Sequence, residues 1–466
     1  MNFVSYAFVF LFLSCFVARL TIGRTSKEPV YLGLLLSASL LFYGWHTPLY
    51  LLLLFTSVTI DYAAALLIDA TTVPARRKLL LAVSMTCNLS LLFVFKYWNF
   101  AVDNLTFLSH WLHLDASWAP KSDLILPMGL SFYTFEAMSY TIDVYRGRLK
   151  PIRNYFDVLL FVSFFPHLVA GPIVRPGDFL PQIHRVRHLQ WGVFWEGGYL
   201  IVRGFFLKMV IADNLGPIVD RFWPIATGPR GDVFMSVAVA ALFGAQILSD
   251  FAGYSSIAQG TAYWLGFRLM QNFRYPYISC SFQEFWTRWH ISLSQWLKSY
   301  LYIPLGGNRH GELMTYRNLL LVMLIGGLWH GASWTFVIWG LLHGIALVVE
   351  RRFGVSQLEG PRRWLYWPVV QSWVLLTWVF FRARSVDEAT GLLGNLTVLE
   401  TSLNPVLIDA LWLLIPLGFS HLRAALIDAG KAPPRSPQEK AFLAGIMIFA
   451  ILTYYGQSSS FIYFQF

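Results

Sequence analysis

Residues 319–349 read LLLVMLIGGLWHGASWTFVIWGLLHGIALVV and contain no Asp, Glu, Lys or Arg. An uncharged apolar run of this length is typical of a chain that crosses a lipid bilayer. His330 lies inside the run, between Trp329 and Trp334. A polar side chain at that depth costs free energy unless a hydrogen bond or a ligand satisfies it. His330 is therefore a candidate functional residue.

The length of this run leaves two local structures open. As one straight helix it would extend about 46 Å, well beyond a hydrocarbon core of about 30 Å, yet it is too short for two full spans. Three glycines, Gly326, Gly327 and Gly331, lie near its middle. We expect either one long tilted helix or a segment that enters the membrane, breaks at the glycines and returns.

Apolar runs recur along the whole chain. Hydrophobic residues make up 56% of the 466 residues and charged residues only 13%, whereas a soluble domain has about 25% charged residues. The mean hydropathy is +0.54. We predict an all-α, polytopic integral membrane protein with about 10–12 membrane helices, besides re-entrant or interfacial helices. The apolar runs, some of them short or interrupted, are 1–18, 30–44, 48–68, 79–95, 123–142, 191–212, 233–264, 319–349, 365–381, 403–420 and 441–456.

The positive charges cluster in short loops between these runs. Arg19, Arg24 and Lys27 follow the first run, which is unlike a signal peptide because no cation precedes it. The positive-inside bias places this loop, and the basic loops 76–78 and 145–153, in the cytoplasm. The same bias and anionic lipid headgroups account for the net charge of +10, so no nucleic-acid partner is expected.

The residues do not indicate a metal or haem centre. Cys15, Cys87 and Cys280 lie in or near apolar segments without metal-ligand spacing. No second helix supplies a histidine pair to match His330 and His343, as a haem site would need. The sequence also contains no G-x-S-x-G elbow and no P-loop.

We expect residues 1–466 to form one membrane domain in three parts. Residues 1–120 read as plain N-terminal helices, 123–350 as a catalytic core and 364–466 as C-terminal helices. In the core, FFPHLVAGPIVRPGDF (164–179) holds three prolines and two glycines. Such backbone is tolerated at membrane depth only when it is buried in protein or lines a cavity, so we expect a re-entrant element that enters and leaves on the cytoplasmic side.

Residues 281–303 are predicted to form one helix. Ser281 and Glu284 fit a capping box, and Pro304 ends the helix. One face is aromatic, and the other carries a polar stripe. The stripe permits two interpretations, an interfacial helix with its aromatic face in lipid or the wall of a polar cavity. Its members are Gln283, Thr287, His290, Ser294 and Lys298.

Acyl transfer is the chemistry that suits a lone buried histidine. Burial disfavours the charged form, and a neutral imidazole accepts the proton of a hydroxyl that attacks a thioester or ester carbonyl. The developing oxyanion needs donors such as Trp indole N–H groups, Ser or Asn side chains, or exposed backbone N–H groups. The competing interpretation of His330 is a packing residue hydrogen-bonded to a backbone carbonyl.

Several long motifs resemble the membrane-bound O-acyltransferase family, in particular its bacterial branch of alginate O-acetyltransferases and the related D-alanine transfer protein of teichoic acid modification. The motifs are ILPMGLSFYTFEAMSYTIDVYRG (125–147), FFPHLVAGPIVRP (164–176), FWTRWHISLSQWLKSYLYIPLGGNR (285–309), GGLWHGASWTFVIWGLLHG (326–344) and FIYFQF (461–466). The resemblance implies a ring of helices around a thinned centre, with a funnel toward a catalytic histidine.

The resemblance also implies residue roles. His330 matches the family histidine, which we expect to be the general base, and His290 matches the second histidine of the branch. The branch often has D-F-S-G-Y-S-D where this chain reads DFAGYSS (250–256), so Ser256 replaces the second acid. Weaker candidates for lining or positioning the substrates are Asp250, Tyr254, Arg288, Asn308, Trp329 and Ser333.

The implied activity is O-acetylation of an exopolysaccharide such as alginate or cellulose. The donor would be acetyl-CoA from the cytoplasm, with no tightly bound cofactor. The protein would lie in the inner membrane of a bacterium, and periplasmic acetyltransferases would be its partners. Three alternatives stay open: a transporter or flippase, a non-catalytic scaffold of an export complex, and transfer of another acyl group such as D-alanyl.

Overall fold

The computed structural model describes residues 3–22, 28–114, 120–169, 171–185, 189–355, 360–399, 403–456 and 461–462. All regular structure in these ranges is helical. Every apolar run of the sequence overlaps at least one helix, which confirms the predicted all-α fold. Arg24 and Lys27 of the first basic loop lie outside the described residues.

Six helical stretches are long and apolar enough to cross a membrane, judged by length and composition within the described residues. The polytopic membrane fold is thereby confirmed. Two shorter apolar helices, Tyr6–Thr21 and Glu28–Gly44, precede them. The six stretches are Tyr50–Ala70, Pro74–Trp111, Val233–Leu265, Trp334–Phe353, Arg362–Arg382 and Pro405–Asp428.

Residues 1–197 and 258–270 make up one of two compact units. A buried polar network joins three of its helices. The carboxylate of Asp61 accepts hydrogen bonds from Ser84 Oγ, from Asn88 Nδ2 at 2.8 Å and from Thr141 Oγ1 at 2.8 Å. Such bonds hold helices together where the apolar surroundings offer no other partners. The helices of this part are α1 (Tyr6–Thr21), α2 (Glu28–Gly44), α3 (Tyr50–Ala70), α4 (Pro74–Leu92), α5 (Trp98–Trp111), α6 (Leu130–Tyr145), α7 (Tyr155–Ser163), α8 (Phe165–Leu168) and α9 (Pro176–Ile183).

The described part of the proline- and glycine-rich stretch 164–179, all but Ala170, is largely irregular and mostly buried, although Gly177 and Asp178 are exposed. Helical structure in that part is limited to α8 and the start of α9. The backbone N–H of Val174 donates to Glu136 Oε1 at 2.8 Å, and that same oxygen is 3.1 Å from His167 Nδ1. A buried carboxylate thus satisfies backbone that no helix satisfies. The side of the membrane from which this stretch enters stays a prediction.

Residues 198–257 and 271–466 make up the second unit. It contains both histidines of interest. Two helices, α10 (Trp191–Phe205) and α12 (Val233–Leu265), cross the boundary between the two units. The others are α11 (Asp213–Thr227), α13 (Phe282–Arg288), α14 (Ile291–Leu297), α15 (Glu312–His330), α16 (Trp334–Phe353), α17 (Trp367–Arg382), α18 (Val386–Asn395), α19 (Pro405–Ala410), α20 (Ile415–Asp428) and α21 (Pro437–Thr453).

The run 319–349 folds as a hairpin of α15 and α16. Of the two expected structures, the broken segment is therefore confirmed, and the single long tilted helix is wrong. The break lies at Gly331–Ser333. Of its two helices, α16 alone is among the candidate membrane spans, in line with the expectation that the run is too short for two full spans. Both helices continue into charged sequence and contain 19 and 20 residues. Each is therefore about 28–30 Å long.

Glycines let the two helices of the hairpin meet backbone to backbone. A Cβ on Gly327 would collide with the carbonyl oxygen of Phe336, and one on Gly340 with that of Met323. Gly327 therefore serves helix packing, not the break. Gly326, one residue earlier, faces a cavity.

The prediction of one helix over 281–303 is wrong. Helix α13 ends at Arg288, α14 begins at Ile291, and a π-helical turn covers Lys298–Tyr302. The break consists of Trp289, which is extended, and His290, which is left-handed with φ 41° and ψ 55°. Neither glycine nor proline marks this break in the sequence, because contacts made elsewhere in the chain stabilise it.

Candidate active site

His290 lies at the break between α13 and α14. Ser281 caps α13 by accepting the N–H of Glu284 at 3.0 Å, as the capping box predicted. His290 then leaves the helix in a left-handed conformation, which a residue with a side chain adopts at a free-energy cost and which often marks functional sites. Its side chain is fully buried.

A neighbouring segment holds this break from one side. The backbone N–H of Ile291 donates to the carbonyl of Asn272 at 2.9 Å, and the N–H of Arg274 donates to the carbonyl of Arg288 at 2.9 Å. The imidazole Nδ1 of His290 lies 3.1 Å from Asn272 Oδ1. Segment 272–274 therefore fixes both the backbone and the ring of His290.

His330 is the last residue of α15, just before the break of the hairpin. Its side chain is 4% exposed. Aromatic rings enclose it, with ring centroids at 4.9 Å for Trp329, 5.0 Å for Trp339 and 5.4 Å for Phe381. The ring of His290 lies 6.3 Å from that of His330, centroid to centroid. The structure thus brings the two histidines together although 40 residues separate them in the sequence.

His330 lines a cavity of about 1050 Å³ in the second unit. Four members of the predicted polar stripe, Gln283, Thr287, Ser294 and Lys298, also line it. The cavity-wall interpretation of this stripe is therefore supported over the interfacial one. A cavity of this size holds a drug-sized or larger ligand.

Among its charged lining residues, the cavity has one more cation than acids. Lys298, Arg309 and Arg351 line it together with two acids, Glu312 and Glu350. Glu350 accepts the backbone N–H groups of Phe282 and Gln283 at the start of α13, so its charge is already compensated. The three cations then outweigh the negative charge of Glu312, which favours an anionic group on the ligand.

The weaker candidates lie in three places. Asn308 lines the cavity, and Trp329 packs against both histidine rings, at 4.9 Å from His330 and 6.2 Å from His290. Ser333 caps α16 by accepting the N–H of Thr335 at 3.2 Å, which is a structural role.

Arg288 belongs to an ion-pair cluster. It contacts Glu284 at 2.9 Å and Asp428 at 2.6 Å, and Glu284 also binds Arg363 at 3.0 Å. These contacts join α13 to the end of α20. These ion pairs give Arg288 a structural role that needs no contact with a substrate.

Asp250 and Tyr254 lie around a buried lysine. Lys208 Nζ is 3.0 Å from Asp250 Oδ1 and 2.6 Å from Asp213 Oδ1, and lies 5.6 Å from the centre of the Tyr254 ring. The backbone N–H of Ile462 donates to Asp250 Oδ2 at 2.6 Å. A buried cation between two carboxylates is compensated, and the same cluster anchors the chain near its C-terminal end.

Ser256, which replaces the second acid of the branch motif, makes a local bond. Its hydroxyl donates to the carbonyl of Ala252 at 2.7 Å, one turn earlier in α12. This is ordinary packing within a helix. Among the described residues there is no group of three or more His, Cys, Asp or Glu side chains that could hold a metal ion.

Known proteins of similar sequence cover most of this chain. A sequence model of the membrane-bound O-acyltransferase family matches residues 144–381, which include both histidines and all the cavity-lining residues. The chain is 43% identical over 394 residues to the probable alginate O-acetylase AlgI of Azotobacter vinelandii, covering 84% of this chain and 76% of the relative.

The chain belongs to the membrane-bound O-acyltransferase family. It is also 37% identical to a peptidoglycan O-acetyltransferase of Helicobacter pylori, covering 84% of this chain and 79% of that protein. A teichoic acid D-alanyltransferase of Streptococcus thermophilus is 29% identical over 48% of this chain and 56% of the relative. The protein is thus a multi-pass membrane enzyme that transfers acyl groups to hydroxyl groups.

For this O-acyltransferase, sequence reasoning missed two residues of interest. Asn272 stands in LMQNFRYP, outside every motif quoted above, and Trp339 stands in TFVIWGLLHG as one aromatic among many. Their proximity to His290 and His330 arises from tertiary packing. The only sequence signal was the polarity of Asn272 shortly after an apolar helix.

Proposed function

We propose that this protein transfers acetyl groups from acetyl-CoA toward hydroxyl groups of an exopolysaccharide, in the inner membrane of a bacterium. The observation that carries the proposal is the position of His330. It lies in the wall of a cavity that also presents cations, with a second histidine ring at 6.3 Å. The names of the 43% and 37% identical relatives favour acetyl over other acyl groups.

His330 acts as general base in this proposal. Its neutral imidazole takes the proton of the acceptor hydroxyl as the hydroxyl oxygen bonds to the thioester carbonyl carbon. The tetrahedral intermediate then collapses, the carbon–sulfur bond breaks, and the proton passes to the thiolate of CoA. The aromatic enclosure of His330 excludes water, which would otherwise compete as acceptor.

Trp339 is the best-placed donor for the oxyanion. Its side chain is 1% exposed, it lines the cavity, and its ring lies 5.0 Å from that of His330. Among the residues that the structure describes, none accepts a hydrogen bond from its indole N–H. A buried donor without a partner is costly, and a ligand oxygen would satisfy it.

The cations at Lys298, Arg309 and Arg351 suit the phosphate groups of a CoA donor. The acceptor is either the polymer itself or a periplasmic acetyltransferase that carries the acetyl group onward. The cavity accommodates a flexible thioester arm, and the polymer is proposed to be alginate, cellulose or a related exopolysaccharide.

The direct test uses purified protein in lipid nanodiscs with radiolabelled acetyl-CoA. Label is measured on added polysaccharide, on a periplasmic extract and on the protein itself, in parallel with a D-alanyl thioester and a long-chain acyl-CoA. We expect acetyl transfer to exceed the other two. Preferred use of another donor would replace the acetyl proposal, and absence of transfer from every donor would favour the scaffold or transporter alternatives.

A further inference from the structure

The side chain of Asn272 is buried beside His290 and touches it through one atom. Asn272 is 1% exposed and His290 is fully buried. Asn272 Oδ1 is 3.1 Å from His290 Nδ1, 2.9 Å from Ser292 Oγ and 3.2 Å from the backbone nitrogen of Ser292. Asn272 Nδ2 donates to Ser255 Oγ at 3.3 Å.

The backbone N–H of Ser292 decides which way round the amide of Asn272 lies. A backbone N–H can only donate, so the atom that it meets at 3.2 Å is an acceptor. The opposite orientation would place the amide NH₂ group against this N–H, donor to donor. The atom that faces His290 Nδ1 is therefore the carbonyl oxygen.

The orientation of the amide in turn decides where His290 carries its proton. An oxygen at 3.1 Å from Nδ1 stabilises the ring only if Nδ1 is protonated, because two lone pairs at that distance repel. In a neutral imidazole one nitrogen is a donor and the other an acceptor. Protonation at Nδ1 thus leaves Nε2 with its lone pair.

We propose that Asn272 is a positioning residue of this active site, whose side-chain oxygen holds the Nδ1–H of neutral His290 and so leaves Nε2 as a hydrogen-bond acceptor beside His330. This proposal rests on the proposed function for its substrate. It selects one role for His290 from several: Nε2 accepts a hydrogen bond and does not donate to the thioester carbonyl or the oxyanion, while His330 remains the base.

The surroundings preserve this arrangement. The two backbone hydrogen bonds from segment 272–274 fix Asn272 relative to the break at His290. The rings of Phe251 and Phe273, at 4.7 Å and 6.3 Å from the His290 ring, restrict its rotation. The left-handed backbone of His290 is thereby tied to one ring orientation.

The first experiment measures the tautomer of His290 directly. Protein labelled with ¹⁵N-histidine in lipid bilayers is studied by solid-state NMR, and the signals of His290 are identified by their loss in His290→Gln. We expect the proton on Nδ1 in the parent and in Asn272→Asp, which keeps an acceptor oxygen. In Asn272→Leu, which has similar volume and no acceptor, we expect Nε2–H or a mixture.

A matched control separates this effect from general loss of stability. Asn395→Leu removes another amide that joins two segments of the same unit, where Nδ2 donates to the carbonyls of Ala226 at 3.0 Å and Gly228 at 2.7 Å. This variant should keep the Nδ1–H tautomer. An Nε2–H tautomer in the parent, or Nδ1–H retained in Asn272→Leu, would overturn the proposal whatever the activity.

The second experiment measures acetyl transfer by the same variants. We expect kcat of Asn272→Leu to fall by about tenfold or more, with the KM for acetyl-CoA changed less than about threefold, and Asn272→Asp to recover part of the loss. Parent-like kcat in a folded Asn272→Leu would contradict the positioning role. If the parent itself transfers no acetyl group, the proposed function fails, while the tautomer measurement still decides the effect of Asn272 on the ring.

Discussion

His330 and His290 reach the same site by different means. His330 is placed by a helix end, since α15 stops at it and the aromatic residues of α16 and α17 enclose it. His290 is placed by a left-handed backbone that segment 272–274 stabilises. The sequence predicted His330 as a functional residue because an ionisable side chain in apolar surroundings is rare, and it predicted His290 through the resemblance to the family. It could not predict Asn272, which becomes significant only through its distance from His290.

The role of Trp339 is testable by removing one N–H group. Trp339→Phe keeps an aromatic ring against His330 but loses the indole donor, so we expect kcat to fall by about 10²-fold with little change in the KM for acetyl-CoA. Trp373→Phe is the matched control, since Trp373 packs against Phe282 and does not line the cavity. Equal kcat values for the two variants would rule out Trp339 as the oxyanion donor.

At the level of helices, the apolar runs predicted that helices exist better than they predicted where each helix begins and ends. Each apolar run overlaps one or more helices, because in hydrocarbon a helix satisfies its own backbone. The hairpin of α15 and α16 was one of two expected structures, and its glycines pointed to it. The break inside 281–303 was missed, because long-range hydrogen bonds and not local propensity produce it.

The hairpin depends on the close approach of its two backbones. Gly327→Ala would place a methyl group against the carbonyl oxygen of Phe336 and force the helices apart. We expect a lower unfolding temperature in nanodiscs, by the equivalent of about 1–3 kcal/mol, and loss of acetyl transfer as His330 moves. Gly418→Ala in α20 is the control, because no atom lies within 4 Å of its added Cβ. Parent-like stability of Gly327→Ala would show that the helices are not in such contact.

For the molecule as a whole, composition was sufficient to predict the membrane class, and the motifs were sufficient to predict the family. That residues 1–466 form one membrane domain stays a prediction. The orientation in the membrane follows from loop charge alone. It therefore remains a prediction, which labelling of a single cysteine in intact cells can test.

The predicted orientation places the loop 145–153 in the cytoplasm. Lys150→Cys, in a background where Cys15, Cys87 and Cys280 are replaced by Ser, introduces one thiol at an exposed position of this loop. A membrane-impermeant maleimide should label it only after the inner membrane is permeabilised. Labelling of spheroplasts with an intact inner membrane would reverse the orientation and place the basic loops outside.

In the proposed reaction His330 performs the acyl transfer, and a comparison with His343 tests this role. His330→Ala and His343→Asn both replace a buried histidine whose ring touches that of Trp339, at 5.0 Å and 4.8 Å, but only His330 lines the cavity. Transfer of radiolabelled acetyl groups is measured for both variants in nanodiscs, per amount of folded protein. We expect His330→Ala to lose at least about 10²-fold in rate and His343→Asn to retain transfer. Near-parent transfer by folded His330→Ala would contradict the account and leave His330 as a packing residue.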